Sequence, residues 1–360
     1  MYVASHEETM LADGAAAFLR ERAPVAALRA LRDARDTTGF DRALWREMAG
    51  LGWAGMLVSA DHGGMEFGHA GAGLVAEQMG RNLTASPFLS TAVMAAGALS
   101  AAPDAVQARW LPAIAAGEAV IAVAVDEGQR HRPDSLAIKV EHARLAGTKT
   151  AVIDGHVADA FVVAAPGLLL LAGRDAPGVT IERLDMVDSR NLAHVTFAQT
   201  PATVIAEGRT AETTLARLLD AGRAALAAEL LGIAGEAFAR TLDYLKQRRQ
   251  FGRPIGSFQA LQHRAAQVHC TIELARSLVL AAARALDDDA GDAGLLVAAA
   301  KAKAGEAAIL ATDEAVQMHG GIGMTDQLDI GLFLKRARVA AMLLGDGDFL
   351  ADRVATLRGL

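Results

Sequence analysis

The 360 residues are 52% hydrophobic and 21% charged, enough for a large core and for two or three domains. A formal charge of −7 argues against nucleic acid as the main partner, while leaving room for a local basic pocket. The single cysteine, Cys270, rules out an intrachain disulfide and a cysteine-based metal cluster. Aromatic residues are few, at 4%, and alanine is abundant, so a mostly helical chain is expected. The N-terminus mixes Glu7, Glu8 and Asp13 with apolar residues and lacks a signal pattern. The longest apolar stretch, Ala158 to Gly173, carries Asp159 and Pro166 and is too short to span a bilayer. A soluble cytoplasmic protein with no membrane partner is expected.

In chain order, residues 1–117 read as helices. Leu11, Ala15, Phe18 and Leu19 recur at helical spacing, as do Leu44, Trp45, Met48 and Leu51. Gly50 and Gly52 close one helix, His62-Gly63-Gly64 opens a loop, and a further helix covers about Gly71 to Gly80. Residues 118–206 change to short apolar runs, at Val120–Val125, Ala151–Ile153, Ala160–Ala164, Leu168–Leu171 and Val179–Ile181. Asp154-Gly155, Pro166-Gly167 and Pro177-Gly178 separate them, which predicts a small β-domain without βαβ units. No GxGxxG dinucleotide fingerprint follows a strand. Residues 207–360 return to helix. One long stretch runs from about Ala211 to Gln250, then helices cover about Ser257–Leu286 and Gly294–Met318, and a shorter one follows Asp329. Four sequential helices with short links predict an antiparallel bundle. The fold class is therefore mostly α with a small, barrel-like β-domain between an N-terminal helical domain and a C-terminal four-helix bundle.

The elbow Arg248-Arg249-Gln250-Phe251-Gly252-Arg253-Pro254-Ile255-Gly256-Ser257-Phe258-Gln259 joins the two longest helices. Pro254 and two glycines break the helix, and Ser257 is placed to cap the next one. Such a bend suits a phosphate-bearing ligand: Arg248 and Arg249 bring charge, Gln250 and Gln259 hydrogen bonds, Phe251 an apolar face. It reads equally as an interhelical turn with exposed basic residues. Arg223 and Arg248 lie 25 residues apart, close to seven whole turns, so they share nearly one face of the long helix. Two solvated charges are the plain alternative. Gln317-Met318-His319-Gly320-Gly321 falls at a helix end, where a glycine pair admits a positive φ or a close ligand, or makes an ordinary C-cap. His263 and His269 do not share a helix face, and no His-Glu-x-x-His cluster occurs, so no metal site is expected.

The elbow and the Gln317–Met324 segment together resemble the acyl-CoA dehydrogenases, and weaker similarity extends over nearly the whole chain, including Leu51-Gly52-Trp53, His62-Gly63-Gly64 and Glu77 to Arg81. The resemblance implies FAD as cofactor and α,β-dehydrogenation of an acyl-CoA, with an electron-transfer protein as acceptor. It places Arg248, Gln250, Phe251 and Gln259 on FAD, with Gln317, Met318, His319, Gly320 and Gly321 on its adenine and ribose side at a dimer contact. His319, taken alone, reads as a loop histidine without a chemical role. Asp220 and Arg223 match an aspartate-x-x-arginine pair near the CoA pantetheine and thioester. Asp346 stands where the family carries its catalytic glutamate and is one methylene shorter; a surface aspartate in a glycine-rich turn is the plain reading of it. The alternative base position on the long helix is Gly222.

Two further departures lie in the β-domain. Val125 to Ser135 keeps little of the family's flavin loop, and Ala151-Val152-Ile153 stands where a tryptophan-isoleucine-threonine strand normally meets the ring. This abbreviated pattern resembles the branch associated with bacterial steroid or bulky-acyl catabolism, in which unlike subunits pair. A homodimer, a tetramer or a heterotetramer with a second dehydrogenase-like chain is the implied assembly. The competing reading is a non-catalytic subunit that completes a partner's FAD site.

Overall fold

In the computed structural model, which describes residues 5–360, the chain divides into two compact units. One gathers the described residues up to Leu28, Gly73–Thr84 and Arg223–Leu360; the other holds Arg29–Ala72 and Ala85–Gly222. The early helices arise where the apolar periodicity places them. Helix α1 (His6–Arg22) opens with a capping box, in which Ser5 Oγ accepts from the Glu8 N–H and the Glu8 carboxylate accepts from the Ser5 N–H. Helices α2 (Val25–Asp33) and α3 (Arg42–Gly50) come next, the latter capped by Asp41. Gly52 leaves α3 in the left-handed region. Helix α4 (Gly68–Asn82) is longer than its apolar pattern suggests. Phe88–Ala95 then forms a fully buried π-helix, which the sequence did not foreshadow, before α5 (Ala96–Leu99) and α6 (Asp104–Ala115).

The middle segment builds two four-stranded sheets. Strands β1 (Ile121–Ala124), β4 (Ala160–Ala165), β5 (Leu168–Gly173) and β8 (Thr203–Glu207) lie in the order β1-β4-β5-β8, with β1 and β4 parallel. Strands β2 (Lys139–Glu141), β3 (Arg144–Ile153), β7 (Leu192–Pro201) and β6 (Val179–Leu184) form the antiparallel order β2-β3-β7-β6. Every residue of β4 is buried, which explains its continuous apolar run. Phe161 of β4 meets Phe197 of β7 edge-on at 6.0 Å and ties the sheets together. Strands β2, β7 and β8 give no clear apolar pattern because polar residues interrupt them.

Helix α7 (Gly208–Gln247) runs 40 residues, about 60 Å. After the elbow come α8 (Gln259–Asp287) and α9 (Ala293–His319). The expected fourth helix is two: α10 (Ile330–Met342) and α11 (Gly347–Leu357), parted by Leu343–Asp346. Helices α4 and α7 cross through paired glycines. A Cβ on Gly80 would lie 2.1 Å from the Glu229 carbonyl oxygen, and one on Gly232 would lie 1.9 Å from that of Glu77. Both obstacles are helix backbone, so neither can swing aside. Gly232→Val should therefore cost about 3 kcal/mol or more, and thermal unfolding should shift down by roughly 6 °C or more. An unchanged Tm would show that this crossing is not tight.

Candidate functional site

The elbow is a small hairpin. Strand β9 (Arg249–Gln250) pairs antiparallel with β10 (Arg253–Pro254), Arg253 facing Gln250 and Pro254 facing Arg249. Its two tip residues, Phe251 and Gly252, have φ of 52° and 80°, the signs of a type I′ turn. Glycine tolerates that conformation and phenylalanine does not, at a cost of about 1–2 kcal/mol. Yet Phe251 is held there with 90% of its surface exposed, 6.1 Å edge-on from Phe258. A strained aromatic that is left this exposed is typical of a contact site. Phe251→Asn should relieve about 1 kcal/mol and raise the Tm of the isolated protein by roughly 2 °C; a lower Tm would show that the tip is unstrained.

Around the tip, Arg249 donates to the Gly252 carbonyl at 3.1 Å, Gln250 Nε2 donates to the Arg249 carbonyl at 2.9 Å, and Arg253 stacks over Phe258 at 4.2 Å. Arg248 and Gln259 are exposed, and Arg248 makes no ion pair among the described residues. Ser257 does not cap α8. Its hydroxyl donates to the Pro254 carbonyl at 2.7 Å, and Phe258 occupies the cap position, because the chain makes one 3-10 turn before the helix begins.

The Gln317–Gly321 end of α9 lies beside the elbow within the same unit. Tyr244, one turn before Arg248, stacks on His319 at 4.3 Å, and its hydroxyl lies 3.4 Å from the His319 carbonyl. His319 is buried, with Nδ1 2.7 Å from the Ala315 carbonyl, so it packs rather than reaches outward. Met318 is buried, while Gln317, Gly320 and Gly321 are exposed. Gly320 has φ of 67°, and a Cβ on either glycine would meet no atom within 4 Å. The end of α9 thus offers open glycine backbone, and the elbow of the same unit offers exposed guanidinium and amide donors.

The third constellation surrounds Leu343–Asp346. Leu344 and Gly345 have φ of 57° and 107°, and a Cβ on Gly345 would strike the Phe349 ring at 2.4 Å. Two buried cations grip successive carbonyls of this turn. Arg223 of α7, 1% exposed, donates from Nε to Leu344 O at 3.0 Å, and its guanidinium lies 5.5 Å from the Phe349 ring centroid. Lys301 of α9, also 1% exposed, donates from Nζ to Gly345 O at 2.7 Å and to Ala341 O at 3.0 Å. Burial pushes the Lys301 pKa down to about 7; Arg223 pushes the same way and Asp346 pulls back. Asp346 caps α11: its Oδ1 accepts from the Phe349 N–H at 2.9 Å, and Oδ2 makes no hydrogen bond among the described residues. The carboxylate is exposed. Asp220, 8% exposed, sits one turn before Arg223 on α7. Sequence reasoning missed Lys301. The available signal was a lysine set among Ala298, Ala300, Ala304 and Ala308, all of which are buried.

In the middle segment, β3 bulges where the family strand would meet the ring: pairing with β7 shifts between Lys149 and Val152, and Ala151 has φ of 49°. Other bonds order the preceding loop. Lys149, fully buried, donates to Val125 O at 2.8 Å and to Glu127 at 2.6 Å. Glu127 also accepts from the Ala137 and Ile138 N–H groups. Burial pushes the Lys149 pKa down, partly offset by Glu127. Burial alone would raise the Glu127 pKa, but Lys149 and the two amides hold it below the usual range.

Residues 5–118 match the family profile described as acyl-CoA dehydrogenase, N-terminal domain, and residues 212–356 match that of the C-terminal domain. The chain is 33% identical over 342 residues to the acyl-CoA dehydrogenase IpdE2 of Mycobacterium tuberculosis, covering 94% of this chain and 93% of that one. The chain belongs to the acyl-CoA dehydrogenase family. Among solved structures, a variant of the Tcur3481–Tcur3483 steroid ACAD superposes with a TM-score of 0.89 at 31% identity over 98% of both chains. The ChsE4–ChsE5 complex from Mycobacterium tuberculosis gives 0.89 at 25% identity, covering 99% of this chain and 98% of that one. Butyryl-CoA dehydrogenase of Megasphaera elsdenii shares the fold, with a TM-score of 0.89 at 21% identity.

The chain is thus an FAD-dependent oxidoreductase of acyl-CoA thioesters. The donor set fits FAD at its phosphate and adenosine end: exposed arginine and amide groups suit a pyrophosphate, and open glycine backbone leaves room for a ribose. At the β3 bulge the chain offers alanine and no aromatic ring. No helix among the described residues is long and apolar enough to cross a membrane. No group of three or more histidine, cysteine, aspartate or glutamate side chains that could hold a metal occurs among them.

Proposed function

We propose that this family member dehydrogenates a bulky, steroid-type acyl-CoA, with Asp346 removing the α-proton. The observation that carries this reading is the division of labour within one carboxylate. Oδ1 is anchored by the Phe349 N–H, while Oδ2 of this exposed residue makes no hydrogen bond among the described residues. An anchored base with one open oxygen meets the geometric requirement for proton abstraction. When bound, FAD takes up the Cβ hydride that no protein side chain can accept. Arg223 and Asp220 act at the pantetheine and thioester end of the substrate, Arg223 through the turn that it holds in place. Arg248, Gln250, Phe251 and Gln259 bind the FAD pyrophosphate side. Gln317, Gly320 and Gly321 receive the adenosine side, with Met318 and His319 packing behind them.

The strained Phe251 tip points to a second chain at the elbow, so a homodimer or larger assembly shares each FAD. A separate electron-transfer protein serves as acceptor, and the setting is cytoplasmic. The steroid-type substrate is supported by the likeness to the Tcur3481–Tcur3483 steroid ACAD. The missing aromatic at the β3 bulge favours a second reading, in which the chain completes the FAD site of an unlike partner. Purification of the chain alone separates the two. A yellow oligomer retaining about one FAD per chain, or per pair of chains, supports the self-sufficient enzyme. A colourless protein that gains flavin only with a second dehydrogenase-like subunit contradicts it.

A further inference from the structure

We propose that Lys301 is a positioning residue for proton abstraction: with Arg223 it locks the Leu343–Asp346 turn and so fixes where the Asp346 carboxylate lies. The inference rests on the reading of Asp346 as the base. The turn cannot hold its shape by itself. Leu344 and Gly345 are both left-handed, and no backbone ladder crosses the gap between α10 and α11. The gap is spanned by side chains. Lys301 Nζ joins the last turn of α10, at Ala341 O, to the residue immediately before Asp346, at Gly345 O. Arg223 takes the neighbouring carbonyl of Leu344. Three carbonyls are therefore satisfied by two basic side chains from two different helices, and the carboxylate begins one residue after the last of them.

A leucine or methionine would fill the Lys301 site at lower cost, since burying an ammonium group is strongly unfavourable. That cost is explained if the ammonium sets geometry. An aspartate is shorter than the family's glutamate, so its backbone must be placed closely for the carboxylate to reach the α-proton. The charges facing Lys301 are Arg223 from α7 and Asp346 from the start of α11.

The test compares wild-type protein with Lys301→Met, read first by amide hydrogen exchange. Exchange over Leu343–Phe349 should become at least about tenfold faster, since the substitution removes both of the hydrogen bonds that Lys301 makes to the turn and to the end of α10, with the rest of α9 unchanged. With any acyl-CoA that the wild type oxidises, kcat should fall by about 10–100-fold while KM changes little. A pH signature accompanies these changes. The folded state holds the Lys301 proton more weakly than the unfolded state, whose lysine titrates near 10.5. Between about pH 7 and 10.5 the unfolded state therefore binds more protons, so stability rises with pH across that window. Lys301→Met should remove that part of the rise. If Lys301→Met does not fold, Lys301→Gln, whose donor is one methylene shorter and cannot bridge both carbonyls, takes its place in every comparison. Unaltered exchange over Leu343–Phe349 in whichever variant folds overturns the proposal, as does faster exchange spread evenly over α9, α10 and α11. Exchange needs no substrate, so a wild type inert toward every acyl-CoA would defeat the proposed reaction and still leave the locking of the turn decided.

Discussion

Asp346→Asn should abolish anaerobic reduction of the bound flavin by acyl-CoA, slowing it by about 100- to 10,000-fold, the usual worth of a positioned general base. The substitution isolates proton transfer because the hydrogen bonds of the turn are kept. Asparagine is as good a helix cap as aspartate, and its side-chain oxygen accepts the Phe349 N–H in the same way. The turn keeps its grip from Arg223 and Lys301, since both donate to backbone carbonyls and neither uses the Asp346 side chain as a hydrogen-bond partner. Flavin content and acyl-CoA affinity should match those of the wild type. Reduction of the flavin at the wild-type rate in Asp346→Asn would remove Asp346 from the reaction and leave it a cap only.

Arg248→Gln should weaken FAD binding by about 10–100-fold, corresponding to roughly 1.5–3 kcal/mol for a lost hydrogen bond to a charged group. Arg248 is exposed at the end of α7 and makes no ion pair among the described residues, so its removal should leave the flavin-free protein as stable as before. Titrating FAD into the flavin-free variant and following the quenching of flavin fluorescence gives the affinity directly. Equal affinity in variant and wild type would mean that the elbow is an ordinary interhelical turn. A large loss of Tm without FAD would mean that Arg248 supports the fold instead.

These two sites differ in how far the sequence revealed them. The elbow was legible because proline and glycine interrupt two long apolar periodicities. Its hairpin form was not, because a phenylalanine gives no sign of the left-handed conformation it adopts at the tip. The pairing of Tyr244 with His319 joins residues 75 positions apart, and nothing local signals it. Asp346 was found only through family resemblance. Its capping role has a local signature, a short acidic side chain just before a helix, but neighbouring Asp348 and two glycines blur the register. Helix α4 and the strands β2, β7 and β8 show the common limit. Their apolar residues are spaced by glycines or polar side chains that a single-sequence pattern reads as breaks.

The clamp at Leu343–Asp346 marks where tertiary structure supplies what local pattern cannot. Arg223 and Lys301 sit in helices that would form without them, and neither alters the apolar periodicity. Their effect is to hold a backbone conformation that the turn's own residues disfavour.

The most direct test is a single-turnover experiment on the purified flavin-loaded chain. Acyl-CoAs ranging from straight-chain to ring-bearing are added without oxygen, while the flavin absorbance and the mass of the thioester are monitored. Loss of the oxidised flavin band, matched by a ring-bearing acyl-CoA lighter by two hydrogens, is the expected result. A flavin-loaded chain whose band persists with every acyl-CoA, while the thioesters stay intact, would contradict the assignment of this reaction to this chain.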